Sequence, residues 1–209
     1  MNTVNSTLAI DTPHGQANVH LRPVDDARAA LVLGHGAGGG VAAPDLAAVT
    51  GAALLEGVSV ALVEQPYRVA GRRSPAPAHQ LDAAWTAVVE QLSAGELRSM
   101  PHLVGGRSSG ARVACRTAAA TGAIGVLCLA FPLQPPPRRD GTNSPSRLAE
   151  LDAVTAPMLV VQGKRDRFGI PPATARRAVV QVGSDHALKT DLEVVAGAVR
   201  RWLASMLEL

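Results

Sequence analysis

Residues 105–112 read Gly105-Gly106-Arg107-Ser108-Ser109-Gly110-Ala111-Arg112, and within them Gly106-x-Ser108-x-Gly110 separates two segments of opposite character. Before it, Leu103–Val104 closes a short apolar strand. After it, a stretch of small helix formers runs to about Ala120. A serine on so sharp a strand-to-helix turn needs neighbours without side chains, because strand and helix crowd together there. The turn lifts the hydroxyl above the sheet edge, and the helix contributes its dipole and the backbone N–H of Ser109. The plain alternative is a structural turn in which Ser108 caps the helix. The order strand, glycine turn, helix favours a nucleophile.

A serine hydroxyl is a weak nucleophile; it needs a base, and the base needs an orienting acid. Asp166 follows the apolar run Met158–Gln162 in Gly163-Lys164-Arg165-Asp166, and His186 follows Ala178–Val182 in Gly183-Ser184-Asp185-His186. Both stand at strand carboxyl ends, the same sheet edge as Ser108, in the chain order Ser, Asp, His. Asp185 and Asp140 compete with Asp166 as the acid, although Asp185 is adjacent to His186, and adjacent side chains rarely face each other. His14 falls in a turn, His20 on an early strand, His79 in a loop, and His102 at the start of a strand on the opposite edge.

The glycine run Gly34-His35-Gly36-Ala37-Gly38-Gly39 has two readings. As G-x-G-x-x-G after a strand, with Glu64 near the end of the next strand, it outlines a dinucleotide-binding unit. That unit needs its glycines to open the helix that meets the pyrophosphate. Here Gly40 continues the loop, and the helix signal waits for Pro44. The other reading is an oxyanion loop, whose backbone N–H groups are fixed before charge develops on the substrate. Ala37 is then the expected donor beside Ser109, with His35 and Gly36 shaping the loop.

Around these landmarks, short apolar runs alternate with segments of helical period. Thr7–Asp11 and Ala17–Arg22 flank a turn at Thr12-Pro13-His14-Gly15, the signature of a hairpin. Ala29–Leu33 and Val58–Val63 are buried-strand runs, with a helix from Pro44 to about Leu55 between them. Pro66–Pro77 reads as a loop, about Gln80–Leu97 as a helix, and Ile124–Phe131 as a strand. Pro132–Ser146 holds no element. The terminal helix sets Leu188, Leu192, Val195, Val199, Trp202 and Met206 on one face. Alternation of this kind predicts one α/β domain over residues 1–209, with a mostly parallel sheet, helices on both faces and an N-terminal antiparallel hairpin. Only about Gln134–Ala156 occupies the place where a lid would be inserted, so no cap domain is expected.

Composition narrows the function. The chain has 209 residues, 47% hydrophobic, with 20 Gly and 15 Pro but two Trp, two Phe and one Tyr. Five rings are too few for a base-stacking nucleic-acid platform. The net charge is +3, and the pairs Arg72–Arg73, Arg138–Arg139, Arg176–Arg177 and Arg200–Arg201 are scattered. No nucleic-acid partner is expected. The longest membrane-like run, Ala123–Leu133, is far short of the roughly 20 residues that span a bilayer. The first residues lack the basic and apolar parts of a secretion signal, so the expectation is a cytoplasmic protein without a membrane partner. Cys115 and Cys128 lie in apolar runs and read as buried thiols, and no His or Cys spacing fits a metal. Neither metal nor cofactor is expected.

Taken together, Gly34–Gly40, Gly105–Arg112, Phe131-Pro132-Leu133, Gln162–Gly169 and Asp185-His186 resemble small α/β-hydrolases of the dienelactone-hydrolase-like group. That group's relatives include a testis-expressed protein and a subunit of the NSL histone acetyltransferase complex. The resemblance covers about residues 29–190. It implies the α/β-hydrolase fold and a triad of Ser108, Asp166 and His186. It departs from dienelactone hydrolases, which carry a cysteine nucleophile, in placing Ser108 at the elbow. The expected activity is a carboxylesterase-like serine hydrolase acting on a small-molecule ester, with Arg107, Arg138 and Phe168 at the substrate rim. Arg68, Arg72 and Arg73, like Arg107, either favour an anionic acyl group or are plain surface arginines, and the second reading is the favoured one. The rival of another class is a non-catalytic protein that keeps the fold as an interaction scaffold.

Overall fold

Every residue of Ala29–Gly34 is buried, and its side chains alternate between two cores: Ala30 and Val32 point into one, Ala29, Leu31 and Leu33 into the other. Such a strand belongs inside a sheet covered on both faces. The computed structural model describes residues 4–138 and 140–208, which leaves Arg139 outside. Its elements are β1 (Ser6–Thr12), β2 (Gly15–Arg22), β3 (Ala29–Gly34), α1 (Pro44–Leu55), β4 (Val58–Glu64), α2 (Pro66–Val69) and α3 (Ala78–Ala94). There follow β5 (His102–Arg107), α4 (Ser109–Thr121), β6 (Gly125–Leu129), α5 (Leu148–Asp152), β7 (Met158–Gly163), β8 (Arg177–Val182) and α6 (Leu192–Leu207).

The eight strands lie in the order β1-β2-β4-β3-β5-β6-β7-β8. The β1–β2 hairpin is antiparallel and joins β4 antiparallel; every pairing from β4 to β8 is parallel. Helices α3 and α4 cover one face around the fully buried Trp85, and α1 and α6 cover the other. The sheet, its two helical layers and the hairpin match expectation. Among the described residues, a loop and the five-residue α5 are all that stand between β6 and β7, and no cap covers the strand ends. Because Trp85 is the largest fully buried side chain in a core built mostly of aliphatics, Trp85→Ala should cost about 3–5 kcal/mol. Urea unfolding would read this as a lower midpoint at unchanged slope.

Several boundaries differ from the sequence reading. Strand β5 runs on to Arg107 instead of stopping at Val104, because Gly105 and Gly106 continue the ladder, opposite Leu127 and Cys128. A side chain at Gly105 would press on the Leu127 carbonyl, 2.5 Å away, so here glycine marks a crowded strand and not its end. Helix α3 stops at Ala94, before Gly95, and β6 ends at Leu129 although Phe131 beyond it is fully buried. The loop Pro66–Pro77 begins with the short α2. The terminal helix starts at Leu192; Leu188, whose spacing fits the same helix face, is a buried loop anchor with φ 46°.

Candidate active site

Chain reversal between β5 and α4 holds Ser108 at φ 52°, ψ −104°, a conformation that costs a non-glycine residue about 1–3 kcal/mol. The neighbours impose it. The Ser108 N–H donates to Leu129 O of β6 at 2.9 Å. A Cβ at Gly106 or at Gly110 would collide with the Gly34 carbonyl of β3, so both motif glycines are required by close packing. Ser108 itself is only half-buried, within reach of a substrate.

From the elbow a continuous relay leads inward. Ser108 Oγ lies 3.0 Å from His186 Nε2, and His186 Nδ1 lies 2.8 Å from Asp166 Oδ2. The Asp166 side chain is fully buried and that of His186 is 21% exposed. An ionised carboxylate only accepts, so Nδ1 carries the ring proton and Nε2 is free to accept from the serine hydroxyl. Asp166 is fixed in turn: Oδ1 accepts the Phe168 N–H at 2.9 Å, and Oδ2 also accepts from Gln162 Nε2 at 2.8 Å. The competing acids lie elsewhere. Asp140 is exposed and accepts from Thr142, and exposed Asp185 accepts the Ala187 N–H.

Gln162 is a functional candidate that sequence reasoning misses. It lies near the end of β7 with no exposure, its Oε1 accepting the Phe131 N–H at 2.9 Å while Nε2 faces Phe131 O, Asp166 and Gly169 O. The available signal is a carboxamide in the otherwise apolar run Met158-Leu159-Val160-Val161-Gln162, since a buried amide must have partners.

The glycine loop after β3 is held from two sides. His35, nearly fully buried, donates from Nδ1 to Gly36 O at 2.8 Å and accepts the Gln65 N–H on Nε2 at 3.1 Å. Tyr67 Oη donates to Ala37 O at 2.9 Å. The Ala37 and Ser109 amides stay without a protein acceptor among the described residues. Helix α1 begins only at Pro44, so the glycines do not open a helix as a dinucleotide-binding unit requires, and Glu64 instead stands 4.0 Å from His20.

Burial holds the His35 imidazole below its ordinary value, with the bond to Gly36 opposing. Unfolding frees the ring to take a proton, so stability should decline as pH falls below about 6.5. Urea midpoints compared at about pH 7.5 and about pH 5.5 should show the loss, and His35→Gln should flatten it.

The three expected rim residues stand in different settings. The half-buried Phe168 presents its ring edge-on to His186, centroids 4.5 Å apart, with the Arg167 guanidinium 4.8 Å over the same ring. Phe168 and Arg167 line a groove of about 370 Å³ with Gln134, Pro135–Pro137 and Asn143. Arg138 is exposed on that proline-rich loop. Arg107 departs from expectation. Its side chain, 17% exposed, turns inward to Asp45 and the His186 carbonyl, because β5 extends to it and aims it beneath the loops. Arg72 and Arg73 line a different hollow, of about 500 Å³, beside Tyr67 and Gln80.

Among the described residues, no cluster of three His, Cys, Asp or Glu could hold a metal ion, and no helix is long and apolar enough to cross a membrane. Cys115 and Cys128 are buried free thiols with Sγ atoms 3.4 Å apart; their contact and burial push the Cys128 thiol well up.

A mostly parallel sheet with a serine elbow at its carboxyl edge and, among the described residues, no lid defines a small α/β-hydrolase architecture. The model of the alpha/beta hydrolase domain matches residues 27–191, and the chain belongs to that family. It is similar to a serine hydrolase without a lid from Xanthomonas campestris: 19% identity, 100% of this chain and 98% of that one covered, TM-score 0.78. Est1E from Butyrivibrio proteoclasticus, also solved with ferulic acid bound, is 16% identical over 97% of this chain and 99% of that one, TM-score 0.79. A dienelactone hydrolase from Anabaena variabilis is 15% identical over 97% of each chain, TM-score 0.76. No curated protein matches this sequence.

Proposed function

We propose that the protein is a serine hydrolase that cleaves carboxylic esters of small molecules through an acyl-enzyme, its site carried by one domain. The observation behind this reading is the relay Ser108–His186–Asp166, with spacings of 3.0 and 2.8 Å at the sheet edge. Ser108 Oγ attacks the ester carbonyl as His186 Nε2 takes its proton; the imidazolium so formed returns the proton to the departing alkoxide. The new oxyanion is received by the N–H groups of Ala37 and Ser109, donors set in place before the reaction. Water, deprotonated by the same His186, then releases the acid and restores Ser108. Asp166 stays ionised and holds the ring in the productive tautomer.

The groove along Phe168 and Pro135–Pro137, with Arg138 at its rim, receives the acyl or alcohol part directly from solvent. At about 370 Å³ it lies at the small end of ligand pockets, so short or compact p-nitrophenyl esters should be turned over in preference to long-chain ones. The likeness to a serine hydrolase without a lid and to Est1E supports the reading. A fluorophosphonate probe tests it: wild type should be labelled and Ser108→Ala should not, while a folded wild type that resists labelling would overturn it.

A further inference from the structure

Asp45, the second residue of α1, has no exposure and no role in the relay, yet it is an acid buried close to the reacting edge. Its ionic partner is Arg107, Nε to Oδ2 at 3.1 Å. The same guanidinium donates from Nη2 to the His186 carbonyl at 3.0 Å. Its Nη1 lies so close beneath Gly36 that a Cβ there would stand 2.7 Å from it. One side chain, adjacent to Ser108 in sequence, therefore touches the glycine loop, the start of α1 and the histidine loop. Charge alone does not require this. A buried ion pair adds little net stability over apolar residues, whereas a planar fork with several donors fixes geometry in a way a point charge cannot.

On the ester-hydrolase reading above, we infer that Arg107 and Asp45 form a positioning pair, which sets His186 and the glycine loop against Ser108 and does not bind substrate charge. Arg107 reaches the chemistry only through other residues. Its loss acts on the distance and angle between Ser108 and His186, to which rate is steep: a displacement of about 1 Å can cost about 100-fold. Substrate binding, in the groove beside Phe168, is left as it was.

Two p-nitrophenyl esters separate this from a substrate-binding cation: the neutral butyrate and the half-ester of adipic acid, which carries a free carboxylate. Arg107→Met should lower kcat for both by about 100-fold with little change in KM. Arg107→Lys should recover part of the loss, and Asp45→Asn should lose about 10-fold. A KM rise confined to the anionic ester would overturn the inference, as would an unchanged kcat in folded Arg107→Met. Should that variant fail to fold because Asp45 is left unpaired, Arg107→Met combined with Asp45→Leu removes both charges and carries the same expectation. A readout independent of turnover is the downfield proton resonance of His186 Nδ1–H, which should be sharp in wild type and broadened in Arg107→Met; persistence of a sharp signal in the folded variant would also overturn the pair. Wild type inert to both esters and to the fluorophosphonate would sink the hydrolase reading, with the resonance still deciding the positioning role.

Discussion

Ser108→Ala should lower kcat toward p-nitrophenyl butyrate by about 10⁵- to 10⁶-fold, and His186→Ala should do nearly the same. The two losses should not add. Once Ser108 Oγ is gone, His186 has no proton to take; once His186 is gone, the hydroxyl 3.0 Å from its position has no base. The double variant should therefore match either single one within a few-fold, leaving the residual rate that binding and the oxyanion donors supply. Stability should hardly move. Ser108 is half-buried, and alanine accepts the φ of 52° no better and no worse, so the unfolding free energy should stay within about 0.5 kcal/mol. Measured kcat, KM and urea midpoints on the three variants would check this. Multiplicative losses would mean that serine and histidine act in separate steps.

The residues of that relay are legible because each is announced locally. The elbow writes its own constraint, since Gly106 and Gly110 are glycines only where β3 crowds the turn. Asp166 and His186 each follow an apolar strand run, which puts them on one edge once the sheet is parallel. Arg107 illustrates the opposite case. Its partners are residues 45 and 186, and no periodicity connects positions 62 and 79 apart. Its charge and its place beside Ser108 are plain in the chain, and a substrate-facing cation follows naturally from them. The direction of the side chain depends instead on β5 extending two glycines further than their usual meaning allows. Leu188 fails for a related reason. Its spacing suits a helix face, but a turn with φ 46° carries it into the same core by another route.

Asp166→Asn should reduce kcat at neutral pH by about 10³- to 10⁴-fold with KM changed only a few-fold, and the donor pattern around the carboxylate says why. Oδ2 accepts from both His186 Nδ1 and Gln162 Nε2, and Oδ1 accepts from the Phe168 N–H. Every neighbour donates, so a side chain with one acceptor and one donor fits neither way round. If the amide oxygen of the variant takes the Oδ2 place, its NH₂ faces the Phe168 N–H. If the amide is turned over, the NH₂ faces His186, which must then protonate Nε2 and loses its capacity to accept from Ser108. Gln162 cannot yield by turning its own amide, because Oε1 is engaged by the Phe131 N–H at 2.9 Å. Gln162→Leu should reveal this support from the other side. It strands the Phe131 N–H and takes a donor from Gly169 O, while Phe131 O keeps the Leu133 N–H, at about 1–3 kcal/mol for each group left unsatisfied. It also frees Asp166 of one of its three donors, for which a kcat loss of about 10-fold is expected, well short of the loss in Asp166→Asn. The comparison of the two variants decides whether the acid works by its charge and tautomer control or merely by filling space. Equal losses in Asp166→Asn and Gln162→Leu would point to packing, and the expected gap of about 100- to 1000-fold to the acid.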